Sequence, residues 1–442
     1  MEVYSDLRSE DPFKLAIPRR VLIIGGGPAG LVTLRTFDTV RLVERRDDVG
    51  GLIPGLIGNF PPPPTAEDEQ PFPKTLGNLR VLEESSPPHL RRPWGEGWKV
   101  SLRDWSDGGK EIEEIWDAVV VAVHWHDNEE WPETPGLDEL RQPSWRGPKE
   151  YEGKKCLIIG NANSSNDIAA QLAPVAQVPV LQSIRRPPWP GFPSLPDERI
   201  QTVAPVVKYA VNDDSPAKAS VYLKDGTVIN DLDVVLCGTG YYPFPDFVKV
   251  FKRPEIHSEP GYGYPSTLPK PKTDEEPSGV YDPPEHLPVV VPETRPRRMP
   301  HMHRLSIYAP NPSLAFVGTV MTYTPFTTAD IVSSYVALVF SHKLPIPPST
   351  WDRLQYERDR LDVVQSRLVG VENPTSFLTY SVMSVDEEGY GRALREDVVS
   401  VLPELDQILP IWDEETSKAK ENMFKAKLEA LKRGRGKGLG WK

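Results

Sequence analysis

Two cysteines in 442 residues leave no room for a disulfide framework. Cys156 and Cys237 sit far apart in separate apolar runs, and no Cys-x-x-Cys occurs, which excludes a thiol redox pair and suits a reducing compartment. A basic excess is also missing. The chain has 51 basic and 63 acidic side chains, a net charge of −12, which argues against a general nucleic-acid or acidic-membrane binder. Long apolar runs are lacking too: Ala118–Val123 and Val336–Phe340 fall well short of the roughly 20 residues that a bilayer span requires. The opening residues show no basic stretch followed by an apolar one, so the expectation is a cytoplasmic protein with no integral membrane segment. Histidine is sparse, and His124 and His126 at a strand end face opposite sides with no third ligand in register, so no metal site is expected. No Ser/His/Asp or paired-carboxylate constellation is visible.

Proline, at 49 residues, is abundant instead. It clusters at Pro61–Pro64, at Pro187, Pro188 and Pro190, and from Pro243 to Pro300, where neither regular helix nor central strand is expected. The length points to two domains.

Two stretches read as strand, tight turn and helix. In the first, the apolar run Val21–Ile24 ends in Gly25, Gly27 and Gly30, spaced as G-x-G-x-x-G, with Pro28 opening the helix. Residues without a Cβ let backbone N–H groups approach a pyrophosphate at the positive helix end. A second apolar run, Val40–Val43, closes in Glu44, nineteen residues after Gly25, where an acid accepts ribose hydroxyls. Arg45 and Arg46 follow and leave the choice of nucleotide open locally. Gly50 and Gly51 offer another close backbone approach. The unit is short, 24 residues from Val21 to Glu44 against about 30 for a βαβ unit. A helix over Pro28–Phe37 therefore covers less sheet, and weakened cofactor binding is expected.

The second stretch starts with the strand Cys156–Ile159 and places Gly160, Ala162 and Ser165 at the three small positions, with Ile168 and Leu172 on one helix face. The next strand, Val178–Leu181, ends in no acid but in Gln182-Ser-Ile-Arg185-Arg186. An acid would repel a 2′-phosphate, whereas arginines clamp one. The second turn thus suits NADPH, and the first a cofactor with free ribose hydroxyls such as FAD.

Further strands are expected over Trp98–Leu102, Trp116–Val123, Leu232–Cys237 and Ser313–Gly318, with a hairpin around Asp225-Gly226. Helices are expected from Ala329 to Phe340, over Trp351–Arg367 and over Asp413–Lys432.

In order from about Val21 to Phe340 the chain resembles the flavin-containing monooxygenase family, particularly its fungal members. Three groups carry the likeness: Gly25–Gly30 with Glu44 and Gly50-Gly51; Gly160–Ala169; and Cys237–Tyr241 with Leu314–Gly318. The resemblance implies an α/β fold of two Rossmann-like dinucleotide-binding domains, with an NADPH domain (149–240) inserted into a FAD domain (1–148 and 241–442). It further implies FAD contacts from Gly25, Gly27, Pro28, Ala29, Gly30, Glu44, Arg45, Gly51 and Leu52. NADPH contacts fall to Gly160, Ala162, Ser164, Ser165, Arg185 and Arg186. Thr239, Gly240 and Tyr241 lie between the cofactors, and Thr322 to Thr328 approach the flavin ring. In the implied reaction NADPH reduces the flavin and one atom of O₂ passes to a nitrogen or sulfur of a small organic substrate, in fungal relatives often a secondary metabolite. No protein nucleophile is required. Departures leave two other readings: an oxidase or reductase, or a catalytically impaired nucleotide-binding protein. The family's F-x-G-x-x-x-H linker begins at Trp145-Arg-Gly147 but lacks its histidine; its Leu-x-Thr-Asn stretch has no counterpart at Asn59 or Asn78; and His124 stands where relatives usually carry glycine.

Overall fold

The computed structural model describes residues 17–37, 40–44, 81–82, 98–104, 109–123, 129–140, 145, 147–186, 196–212, 215–242, 245, 248–250, 287–288, 298–371 and 379–416, with isolated positions 418, 422, 425 and 429. β1 (Val21–Ile24) is buried along its whole length, leads into α1 (Pro28–Thr36), and pairs in parallel with β2 (Val40–Val43), Val21 opposite Val40. α1 has nine residues, about 14 Å at 1.5 Å per residue, so the crossover is as short as its spacing predicts. β3 (Val81–Leu82), β4 (Trp98–Asp104) and β5 (Lys110–Trp116) form an antiparallel sheet, and β6 (Ala118–Val121) returns beside β1.

The single strand expected over Trp116–Val123 is therefore two. Trp116 pairs with Trp98 in the antiparallel sheet, and the chain switches sheets at Asp117. Asp117 drives the switch: its carboxylate accepts the N–H groups of Arg19 and Arg20 at 2.8 and 3.0 Å, and its own N–H donates to Arg20 O at 3.0 Å.

After β6 the chain leaves the first sheet and builds another. β7 (Cys156–Ile159), α2 (Asn163–Leu172), β8 (Val180–Ser183) and β9 (Ile200–Val203) are followed by an antiparallel meander of β10 (Val206–Asn212), β11 (Ser215–Leu223) and β12 (Val228–Leu232). β13 (Val234–Cys237) completes the parallel order β13-β7-β8-β9. The hairpin forms at Asp225-Gly226, with Gly226 at φ +86° and the Asp225 carboxylate accepting Thr227 N–H at 3.0 Å. Two strand limits differ from expectation. β8 starts at Val180, since Pro179 has no N–H for a central ladder. Leu232 belongs to β12, and the turn at Asp233, whose carboxylate accepts Lys155 N–H at 2.8 Å, separates it from β13.

β14 (Lys249–Val250) and β15 (Leu287–Pro288) form a short pair. The chain then rejoins the first sheet through β16 (Met302–His303), β17 (Ile307–Tyr308) and β18 (Leu314–Phe316), β18 lying parallel to β6 in the order β16-β17-β18-β6-β1-β2. The second Rossmann-like unit is thus inserted in the first. α3 (Pro325–Phe340) follows β18; it starts earlier than expected, because Pro325 fits the first helical position. The helix expected over Trp351–Arg367 breaks at Leu354 into α4 (Thr350–Arg353) and α5 (Gln355–Leu368). α6 (Glu387–Val401) was not expected, although Tyr390, Leu394 and Val398 give it a buried face. Most of Asp413–Lys432 lies outside the described residues.

The first sheet is a central layer. Ile23, Val120 and Ala315 face α3 and α6, while Leu22, Val119 and Phe316 face Trp98, Val100 and Trp116. The Trp98 indole N–H reaches Ser313 Oγ at 2.8 Å in this second layer.

Candidate functional site

The first turn is closed by two glycines whose conformations are forced. Gly25 sits at φ +107° and donates to Val43 O at 2.8 Å, which ties the turn to β2. A Cβ on Gly30 would stand 1.7 Å from Gly25 O, so only glycine lets the helix pass so close to the strand. Gly27 precedes α1, Pro28 opens it, Ala29 and Gly30 continue its first turn, and no side chain caps it. The positive helix end therefore faces the carboxyl edge of the sheet. Glu44, at the end of β2, reaches back across the turn and accepts Gly26 N–H at 2.5 Å. An uncapped helix start with a carboxylate beside it matches a dinucleotide whose pyrophosphate meets N–H groups and whose ribose meets an acid. Arg45, Gly51 and Leu52 lie outside the described residues, as do Gly50, Asn59, Asn78, His124 and His126.

The second turn repeats the design. Gly160 sits at φ +121°, and its N–H donates to Ser183 O at 3.0 Å. Ala162 precedes α2, with no side-chain cap, and Ser164 is exposed on its first turn. Ser165 corrects its assignment as a nucleotide contact. It is wholly buried, and its hydroxyl donates to Gly238 O at 2.8 Å, so it joins α2 to the end of β13. The third small position shapes the turn from within, which is the role size alone would give it.

Beneath this turn lies a polar pair that strand periodicity does not reveal. Gln182 and Asn166 are each 3% exposed; Gln182 Nε2 donates to Gly160 O at 2.9 Å and to Asn166 Oδ1 at 2.8 Å. At the mouth, Arg185 is exposed and Arg186 half-buried. Asn161 Nδ2 holds Arg186 O at 2.9 Å, while the Arg186 guanidinium has no hydrogen bond or ion pair among the described residues. Burial pushes its pKa down, the neighbouring Arg185 adds to this, and Glu130 opposes it. A half-buried, crowded cation is relieved by an anion.

Thr239 and Gly240 are engaged with the segment that precedes the insertion. The Thr239 hydroxyl donates to Glu130 O at 2.6 Å, Glu130 N–H donates to Gly240 O at 2.9 Å, and Tyr241 bridges to Glu129. Gly240 is exposed at φ +106°. Tyr241 is half-buried at the same crossing between sheets. The Thr322–Thr328 stretch makes the turn into α3, where Glu387 from α6 accepts Tyr323 and Thr324 N–H at 2.8 Å each. That acid, 63 residues from Thr324, gives no local signal in the sequence.

The thiols offer no reactive group: burial pushes Cys156 up to about 11 and Cys237 to about 12, so both stay protonated near neutrality. Among the described residues no three His, Cys, Asp or Glu side chains gather as a metal site, and no helix is long and apolar enough to cross a membrane.

Residues 95–190 match the family model described as FMO-like, flavin-binding monooxygenase-like. The chain is 23% identical over 302 residues to the flavin-containing monooxygenase ustF2 of Aspergillus flavus, covering 63% of this chain and 56% of that protein. It is 27% identical over 197 residues to the thiol-specific monooxygenase of Saccharomyces cerevisiae, covering 44% and 36%. The chain thus spans about half, or less, of the length of these curated relatives. Among solved structures, S-allyl-L-cysteine S-oxygenase from Allium sativum shares the fold, with a TM-score of 0.54 at 17% identity over 96% of this chain and 95% of that one. Residues 95–190 are thus similar to the flavin-binding monooxygenase-like family, and the arrangement of one Rossmann-like unit inserted in the other is a fold shared with the S-oxygenase structure.

Proposed function

We propose that the chain is an FAD- and NADPH-dependent monooxygenase that transfers one oxygen atom from O₂ to a nitrogen or sulfur of a small organic substrate. The contrast between the two turns carries the reading. Glu44 guards the first turn, which suits free ribose hydroxyls; the second opens onto Arg185 and the guanidinium of Arg186, which is unpaired among the described residues and suits a 2′-phosphate. Residues 1–148 and 241–442 would then bind FAD, with 149–240 binding NADPH. A bound flavin supplies the electron transfer and oxygen activation, which no side chain provides. The chain's own part is to hold the two nucleotides at their helix ends and to fix the crossing at Thr239–Tyr241 between them.

The test is the visible spectrum of the purified protein supplied with FAD, followed by NADPH without and then with air, using a thioether and a tertiary amine as probes. The expected result is a flavin spectrum that bleaches anaerobically, recovers in air, and yields sulfoxide or N-oxide. Stoichiometric H₂O₂ without oxygenated product would identify an oxidase or reductase. A protein that stays colourless with added FAD would identify a noncatalytic nucleotide binder.

A further inference from the structure

The turn before α2 is held from two sides. A Cβ on Gly160 would stand 2.7 Å from Gly238 O, so the turn lies directly against the end of β13, and Ser165 Oγ ties α2 to the same carbonyl. From the other side, Gln182 Nε2 of β8 holds Gly160 O. The two arginines stand on a different footing. β8 ends at Ser183, whose carbonyl accepts Gly160 N–H, and Ile184 N–H still reaches Val203 O at 3.2 Å. Beyond Ile184, among the described residues, one hydrogen bond holds the backbone of Arg185 and Arg186: Asn161 Nδ2 donates to Arg186 O at 2.9 Å.

Asn161 is half-buried and stands between the two small residues of the turn, Gly160 and Ala162. A pyrophosphate meets backbone N–H groups at such a turn, and those groups are the same whichever side chain stands at 161. The amide is committed elsewhere, to a carbonyl 25 positions away on the segment that carries the cations. There Arg185 is exposed, and the guanidinium of half-buried Arg186 has no hydrogen bond or ion pair among the described residues. A long side chain on an untethered backbone loses conformational freedom when it meets an anion. Tethering the backbone beforehand reduces that loss.

We infer that Asn161 is a positioning residue that sets nucleotide specificity: its amide fixes the Arg186 backbone relative to the Gly160–Ala162 turn, so that the pyrophosphate and the 2′-phosphate of one nucleotide meet their partners at a set spacing. This inference rests on the NADPH reading above. The amide acts through Arg186, by preorganising it, and not by contact with the 2′-phosphate. It therefore affects a nucleotide that carries this phosphate and spares one that lacks it.

The test is calorimetric titration of the full chain with NADP⁺ and with NAD⁺, which differ only in the 2′-phosphate and need no turnover, for the parent, Asn161→Ala, Arg186→Ala and the double variant. The parent should prefer NADP⁺. Asn161→Ala should lower that preference about tenfold, the loss falling on NADP⁺ rather than on NAD⁺. Arg186→Ala should lower it at least as far, and adding Asn161→Ala to it should lower it no further, because both changes remove one interaction. Asn161→Ser, whose side chain is too short to reach Arg186 O, should give the same loss and serves if Asn161→Ala does not fold. Equal losses for the two nucleotides, or an Asn161 effect that persists without Arg186, would reduce Asn161 to a structural support of the turn and overturn the inference. A parent that prefers NADP⁺ and keeps its preference in both Asn161 variants overturns the inference alone. A parent with no preference for NADP⁺ fails the NADPH reading itself, and this inference with it.

Discussion

At the scale of single residues, the second turn turns on two arginines. Arg186 is half-buried without an anionic partner among the described residues and next to Arg185. Charge-assisted hydrogen bonds contribute roughly 1.5–3 kcal/mol, so Arg185→Ala with Arg186→Ala should raise the Michaelis constant for NADPH about 10- to 100-fold and leave that for NADH near its starting value. Steady-state kinetics with both nucleotides decide this; equal losses would remove the 2′-phosphate assignment. The expectation placed on these arginines rests on a strand end without an acid, which is a local feature. The forced glycines were legible for the same reason: at Gly25 and Gly160 the backbone adopts positive φ within one turn. Ser165 was misread because size fits it both for touching a nucleotide and for packing a helix on a strand, and only the bond to Gly238 O separates the two. Glu387 left no trace, since its partners are more than 60 positions away.

At the scale of elements, α2 is joined to its sheet by a buried polar link, with Gln182 of β8 donating to Gly160 O and to Asn166 Oδ1. Replacing Gln182 by Leu removes both donors from a dry site, and a buried acceptor that loses its donor costs about 1–3 kcal/mol. Gln182→Leu should therefore lower stability by about 2–3 kcal/mol and, under the proposed function, raise the Michaelis constant for NADPH, since Gly160 makes the tight turn before α2. Adding Asn166→Leu should recover part of the stability but not the nucleotide affinity. Urea midpoints and NADPH titrations on the two variants separate packing from positioning; recovery of both would show that the link only fills space. The parallel strands and the Asp225-Gly226 hairpin followed from apolar runs and turn chemistry. The break at Asp117 did not, because Trp116 and Ala118 belong to one apolar run and the switch depends on Asp117 bonding backward to Arg19 and Arg20. Nor did α6, whose apolar spacing is interrupted by Gly389 and Gly391; the latter is required where a Cβ would stand 2.2 Å from the Trp412 ring.

At the scale of the molecule, the inserted topology was readable because its signals repeat in order, while the C-terminal support of the first sheet was not. That support is rich in buried charge. The Arg353 guanidinium is 1% exposed and bonds the carbonyls of Ala309, Pro347 and Pro348, while His303 Nδ1 donates to Arg353 O at 3.0 Å. Burial pushes the His303 pKa down to about 4 against the opposing hydrogen bond to the Arg353 backbone, with the Arg304 and Arg353 charges adding to the fall and Asp397 opposing it; burial lowers His301 in the same direction. In the unfolded chain a histidine titrates near 6.5, so above that pH neither state takes the proton and folding is not penalised. As pH falls from about 6.5 toward 4, the unfolded state gains the proton and the native state does not, so stability is lost across that window, by at most about 3 kcal/mol from His303. The Asp386 carboxyl is held below its ordinary value first by its hydrogen bond to Arg367, and it loses its stabilising effect only at still lower pH. Urea unfolding at a series of pH values between 7.5 and 4 should show this fall, and His303→Asn, which keeps an N–H donor for Arg353 O but does not titrate, should flatten it. Parallel curves for the two proteins would mean that His303 is protonated inside the fold, and that the C-terminal layer tolerates a positive charge that its burial argues against.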